Sequence, residues 1–212
     1  MLGNNTQKKI NEIDMNDIPE PKQENSLVKE AFIFLWEIIK VVVISLAVIL
    51  PIRYFLIQPF YVKGASMEPN FHDHEYLIVD QISYRFGEPT RGDVVVFRAP
   101  PQPYDFFIKR LIGLPGETIK IHDGKIFIFN SANPQGEELK ESYLSADLKS
   151  VGSITEALDQ DEYFLMGDNR EESMDSRSFG PVKRKAMVGK VFLRGWPLDK
   201  FSLYLDPPQY GF

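Results

Sequence analysis

The chain has no cysteine, so disulfides, thiolate metal sites and cysteine nucleophiles are all excluded. Histidine is nearly as scarce. His72, His74 and His122 are the only three, which leaves little material for a serine–histidine–acid triad. His72-x-His74 would place two imidazoles on one strand face, but no third ligand stands nearby and no metal or other cofactor is expected. Cations are in deficit: 24 Lys and Arg against 30 Asp and Glu give a net charge of −6. No basic stripe interrupts that balance, which argues against nucleic acid as a partner. Long apolar runs are scarce too, with a single candidate in 212 residues.

That candidate runs from Ala31 to Leu50, interrupted only by Glu37, Lys40 and Ser45. As a helix it spans about 30 Å, the thickness of the hydrocarbon layer. Glu37 and Lys40 are three apart and can pair on one helix face. The strictly uncharged run, Val41 to Ile52, is shorter, and a core helix or a signal-peptide apolar region competes with an anchor on that count. No small-x-small cleavage pattern follows; the chain continues Pro51-Ile52-Arg53-Tyr54-Phe55. Residues 27–57 are therefore read as an uncleaved transmembrane signal anchor, preceded by a polar, disordered tail over 1–26. Lys22 and Lys29 upstream face Arg53 and Lys63 downstream, so charge sets the orientation poorly.

After residue 58 no long periodic helix is visible. Short β-rich runs are predicted at Phe60–Lys63, Tyr76–Ser83, Asp93–Arg98, Phe106–Ile112, Thr118–His122, Lys125–Asn130, Glu162–Met166 and Ala186–Arg194. Asp123-Gly124 between two of them is a hairpin signal. Residues 131–160 are more polar and read as an excursion between core strands. The fold class is mainly β, with one helix ahead of it. Tyr104-Asp105-Phe106-Phe107 and Trp196-Pro197-Leu198 are aromatic clusters, read as core packing in preference to bilayer contact.

Within this pattern Lys109 is out of place. It stands on the apolar strand Phe106-Phe107-Ile108-Lys109-Arg110-Leu111-Ile112, on the face of Phe107 and Leu111. A lysine buried there is relieved by losing its proton, and a neutral amine is a competent base for a serine hydroxyl. An edge lysine reaching solvent, or one paired with a carboxylate, explains the position equally well. Ser66, in Gly64-Ala65-Ser66-Met67-Glu68-Pro69, is the serine just past the anchor, though a plain turn serine has the same look. Gly167 to Gly180 is dense in groups that bond backbone and bridge charges, which makes it a structured loop.

Taken together, Ser66-Met67-Glu68-Pro69, Arg91-Gly92-Asp93-Val94-Val95-Val96-Phe97, Lys109 to Glu117 and Gly167 to Gly180 resemble, in order, the motif boxes of bacterial type I signal peptidases. The resemblance covers roughly residues 31 to 195. It implies an antiparallel β catalytic domain, here 58–117 and 161–212, with a reduced second subdomain over 118–160. It makes Ser66 the nucleophile, Lys109 its base, and Ser173 the serine that orients the amine. Asp168, Arg110, Asp175 and Arg177 fall at structural charge positions, Asp168 pairing with Arg110. Phe60, Val62, Met67, Phe71, Phe107 and Ile108 match positions lining shallow apolar pockets, which would favour Ala-x-Ala before the cut. Phe71 replaces a commoner leucine and would narrow a pocket. Gly64 lacks the hydroxyl that serves as a second oxyanion donor in some relatives.

The implied partners are preprotein signal peptides and membrane lipid, with no obligate protein subunit and no cofactor. The implied place is a bacterial cell membrane, or a thylakoid-type internal one, with a cytoplasmic N-terminus and the catalytic domain outside. Two rivals share these residues. One is a Ser/Lys peptidase with a dedicated or self-cleaving task, as in LexA-like proteases. The other is a silent anchored β-domain that binds extended peptides.

Overall fold

In the computed structural model, residues 26–51, 53, 57–100, 104–145, 147–205, 207–208 and 210 are described. The expected tail over 1–26 lies, apart from Ser26, outside them. The chain divides into two units, 1–48 and 49–212.

The first unit carries most of α1, Ser26–Pro51, a helix of 26 residues and so about 39 Å long. Its described side chains are exposed all round, large apolar ones such as Phe34, Leu35 and Val43 included. It is long and apolar enough to cross a membrane. Glu37 and Lys40 pair at 3.7 Å, the i,i+3 contact that sequence spacing allows.

The second unit is antiparallel β. Its strands are β1 (Ile57–Tyr61), β2 (Tyr76–Asp80), β3 (Val94–Arg98), β4 (Phe106–Gly113), β5 (Thr118–His122), β6 (Lys125–Phe129), β7 (Glu137–Glu138), β8 (Ile154–Ala157), β9 (Glu162–Met166), β10 (Val182–Lys183), β11 (Met187–Trp196) and β12 (Ser202–Leu203). The larger sheet runs β1-β2-β11-β3-β4-β9-β10, with β12 on β11; the smaller runs β7-β6-β5-β8. The mainly β expectation holds. Two short helices, α2 (Ser83–Phe86) and α3 (Ser176–Phe179), are additions.

Central β3 shows why an unbroken apolar run becomes a strand here. Val95 and Phe97 join Leu111 and Leu165 on one face, while Val94 and Val96 join Leu77, Val79 and Val191 on the other. At the sheet edge, β1 tolerates Pro59, whose missing N–H costs no ladder bond on the open side. The Asp123-Gly124 turn has both residues at positive φ, +51° and +80°, joining β5 to β6 as the pair predicts. Ile119, Ile121, Ile126 and Ile128 alternate inward and pack on Ile112, Phe164 and Met166, which fastens the smaller sheet to the larger.

Some sequence expectations need correction. The run expected over Tyr76–Ser83 stops at Asp80, whose carboxylate accepts from the Ser83 N–H at 3.1 Å and turns the chain into α2. Residues 131–160 are not merely an excursion, since β7 and β8 complete the smaller sheet. His72 and His74 lie in the irregular stretch before β2 and not on a strand face. Each sits beside its own carboxylate, His72 by Glu68 at 3.5 Å and His74 by Asp73 at 2.9 Å. The aromatic clusters are largely outside the core: Tyr104, Trp196 and Leu198 are exposed, and only Phe107 packs against a core cluster. Trp196 pairs with Tyr76 at the sheet end, and among the described residues nothing buries either ring.

Candidate active site

Ser66 follows β1 in a tight turn. Asn70 and Phe71 N–H groups both bond back to the Met67 carbonyl, at 3.1 and 2.9 Å. That winding turns Met67 and Phe71 inward and leaves Ser66 half-buried at the surface. Gly64, just before, sits at φ +94°, a conformation glycine adopts freely, with its N–H held by Asp73 at 2.9 Å. From the other side Asn169 clamps the same turn: its backbone N–H bonds the Ser66 carbonyl at 3.1 Å and its amide bonds the Ala65 carbonyl at 3.2 Å.

Lys109 comes from β4, paired with Val95. Its side chain is 3% exposed, and Nζ lies 5.4 Å from the centre of the Phe107 ring. Nζ stands 2.7 Å from Ser66 Oγ and 2.9 Å from the Ile108 carbonyl. Burial is the dominant influence on this amine; Asp175 and Asp168 pull the other way and lose, so its pKa falls from 10.5 to about 8. A buried amine with a lowered pKa, within hydrogen-bond reach of an alcohol, is equipped to remove that alcohol's proton.

Ser173 is close by but not bonded to Lys109. Its hydroxyl is buried without a hydrogen bond of ordinary geometry among the described residues. It contributes to keeping Asp175 ionised. Burial by itself would raise the Asp175 carboxyl, and hydrogen bonds from Arg177 and the Gly167 N–H outweigh it, leaving the pKa low. Arg177 grips Asp175 with two contacts of 2.8 Å. Arg110 grips the fully buried Asp168 in the same forked way, at 2.8 and 2.6 Å. Asn70 adds a bond to Asp168 at 2.9 Å, tying the serine turn to the Gly167–Gly180 loop.

Gly167 is where these parts meet. A Cβ there would lie 2.2 Å from Ser173 Oγ and 2.4 Å from the Ser66 carbonyl oxygen. The Ser66 carbonyl cannot yield without moving the serine turn, and Ser173 cannot yield without shifting its own place in the loop. Gly167→Ala is therefore expected to lower kcat at least about tenfold with little change in KM. Steady-state kinetics of the purified variant check this.

Beside the pair runs a cleft of about 520 Å³. Phe60, Val62, Phe107 and Ile108, four of the six positions implied by the family resemblance, line it. Met67 and Phe71 do not. Both are buried beneath it, Phe71 against Tyr204 with ring centres 5.0 Å apart, because the turn after Ser66 points them into the core. Leu77, Val96, Glu172 and Met174 also line the cleft and were not anticipated. Val96 reaches the cleft through its pairing with Ile108 across the ladder, a register the sequence does not specify. Glu172 and Met174 carried no signal in the sequence.

The chain matches the family model described as signal peptidase, peptidase S26, over residues 35–196. It belongs to that family. The matched span takes in both residues of the pair and every residue of the Gly167–Gly180 loop. Among similar proteins, a Signal peptidase I of Leptolyngbya laminosa is 34% identical over 183 residues, covering 83% of this chain and 87% of that protein. A Signal peptidase IB of Staphylococcus aureus (strain MRSA252) is 32% identical over 180 residues, covering 78% and 93%. A crystal structure of a signal peptidase I from Enterococcus faecalis V583 is 32% identical and covers 49% of this chain and 96% of that one, with a TM-score of 0.41. The molecule is thus a peptidase of the S26 family, and the half-buried serine beside the buried lysine is its candidate reacting pair.

Proposed function

We propose that this chain is a membrane-anchored serine endopeptidase that removes N-terminal signal peptides from exported preproteins, using Ser66 and Lys109 as a catalytic dyad. The observation that carries the reading is the 2.7 Å approach of Lys109 Nζ to Ser66 Oγ with the amine buried. Neutral Lys109 accepts the Ser66 proton as Oγ attacks the scissile carbonyl carbon. The tetrahedral oxyanion is met by the Ser66 backbone N–H. On collapse the C–N bond breaks and the leaving amine takes the proton from Lys109. Lys109 then takes a proton from a water that attacks the acyl-enzyme carbonyl; the C–Oγ bond breaks and Ser66 Oγ takes the proton back from Lys109.

Ser173, acting beside Asp175, is a positioning residue for the lysine. Asp168, Arg110, Asp175 and Arg177 hold the loop in shape. An extended substrate lies along the open edge of β1, with its side chains directed into walls made by Phe60, Val62, Phe107 and Ile108. Such shallow apolar walls admit small residues at the first and third positions before the cut, the Ala-x-Ala pattern. Met67 and Phe71 act on that choice only from below.

Helix α1 makes one pass through a bacterial cell membrane, with the N-terminus cytoplasmic and the catalytic unit outside. Lipid contact is supported further by the exposed aromatics Tyr61, Tyr76 and Trp196, clustered where β1, β2 and β11 end. No cofactor or obligate subunit enters the scheme.

Two measurements on the full chain in detergent test it. A preprotein with Ala-x-Ala ahead of its mature part is expected to be cut there, as N-terminal sequencing of the product reports. Phe at the residue before the cut should abolish cleavage; indifference to that change rejects the pocket assignment. The pH dependence follows from the lowered pKa: the base works only when deprotonated. kcat/KM should then climb with pH to a midpoint near 8 and fall about tenfold per unit below it. A profile flat between about pH 6 and about pH 9 rules out Lys109 as the base.

A further inference from the structure

A second cleft, of about 420 Å³, is lined by Arg85, Arg98, Arg184 and Lys185 together with the amides of Gln58 and Gln81. Among the described residues no carboxylate lines it, in a chain whose net charge is −6. The cations come from separate places: α2, the end of β3, and the turn that leads into β11. Only the tertiary fold gathers them. Charge of one sign converging on a concave surface raises the local potential well above that of scattered surface lysines.

Each surrounding group has a defined part. Arg184 is built into the wall: it donates to the Tyr84 and Gly87 carbonyls and has Glu88 3.6 Å from Nε. Glu88 is exposed and also accepts from the Tyr163 hydroxyl at 3.0 Å, so its charge is shared outside the cleft. Asp80 is occupied by Ser83, and Asp161, next to the Arg184 backbone, lies 3.8 Å from Lys183. The Arg98 guanidinium carbon lies 5.2 Å from the centre of the Phe106 ring, a cation–π contact that leaves its N–H groups able to bond a ligand. Gln81 donates to Gln58 at 2.7 Å, which sets both amides in the wall.

We propose that this cleft binds a phosphate-bearing anion. Guanidinium forks match tetrahedral oxyanions in pairs, lysine adds a mobile point charge, and neutral amides bond oxygens that carry no countercharge. The volume suits a polar headgroup or a free phosphate and is far too small for a folded partner. For a chain with a membrane-long helix the headgroup of an anionic phospholipid is one source, and inorganic phosphate is the other. The site is independent of the proposed peptidase chemistry, although Phe106 is a wall common to both clefts.

The test is native mass spectrometry of the full chain in a neutral detergent, titrated separately with short-chain phosphatidylglycerol and with inorganic phosphate. Saturable adducts are expected, weakened at least tenfold in Arg85→Gln/Arg98→Gln/Lys185→Gln and weakened measurably in Lys185→Gln alone. The single variant alters one exposed side chain and guards against a triple variant that does not fold. Adducts with phosphatidylglycerol alone assign the lipid; adducts with both ligands assign the shared phosphate. The proposal is overturned if neither ligand binds, or if a carboxylate amphiphile such as dodecanoate binds as well. It is overturned equally if the charge-matched control Lys120→Gln/Lys140→Gln/Lys149→Gln loses as much as the triple variant.

Discussion

Ser66→Ala and Lys109→Met are each expected to lower kcat/KM for preprotein cleavage by at least about 10³-fold, while Lys109→Met makes the protein more stable near neutral pH. The two halves of that expectation have one cause. Burial lowers the Lys109 pKa to about 8 from 10.5, so below pH 8 the folded state holds an ammonium in surroundings that oppose it. The unfolded chain binds that proton more tightly. The resulting penalty is present in full below the folded pKa, shrinks as pH rises from about 8, and is gone above 10.5. Methionine fills similar space without the charge and should add roughly 1–3 kcal/mol at pH 7, a gain that fades as pH climbs. Thermal unfolding across pH beside cleavage kinetics reads both. Wild-type activity in either variant, or a Lys109→Met protein less stable than its parent at pH 7, removes the dyad.

Asp168→Ala is expected to cost about 3–5 kcal/mol of stability, the scale of breaking a buried ion pair by removing one partner. Asp168 is fully buried and receives two bonds from Arg110 and one from Asn70. Removing it strands a buried guanidinium, left with the Gly92 carbonyl, at 2.9 Å, and the Tyr143 ring, 3.8 Å from its centre. For a unit of this size the melting temperature should fall by about 10 °C. Activity should fall further than stability explains, since Asn70 links this carboxylate to the serine turn. The exposed pair Lys125–Glu138, at 2.8 Å, is the contrast: Lys125→Ala should shift stability by no more than about 0.5 kcal/mol. Calorimetry of the two variants side by side checks the ranking. Equal effects would mean that the Arg110–Asp168 pair is solvated and not part of the frame.

Much of the β framework is readable from residue pattern, because strand periodicity and turn chemistry are local. Thr118–His122, Asp123-Gly124 and Lys125–Phe129 form a hairpin from alternation and positive-φ residues alone. Val94–Arg98 is apolar on both faces, and the central strand of a sheet is the place that demands it. The misread elements are those whose reasons are distant. Ile154–Ala157 becomes a strand only because Thr118–Ile121 lies beside it, and Trp196 falls at a sheet end where its partner Tyr76 is exposed as well. Phe71 was assigned to a pocket wall, and one turn of backbone carries it into the core.

The sequence by itself determined that a helix of membrane length precedes a β domain, and that a lysine would stand on an apolar strand. Hydrophobic period and charge placement are properties of neighbours in the chain. Only the tertiary structure decided that this lysine meets Ser66, 43 residues away, at 2.7 Å, and that four cations from three elements face one cleft. Those distances depend on strand order and on the turns between strands. They follow from the packing of the whole sheet, which no short stretch of residues encodes.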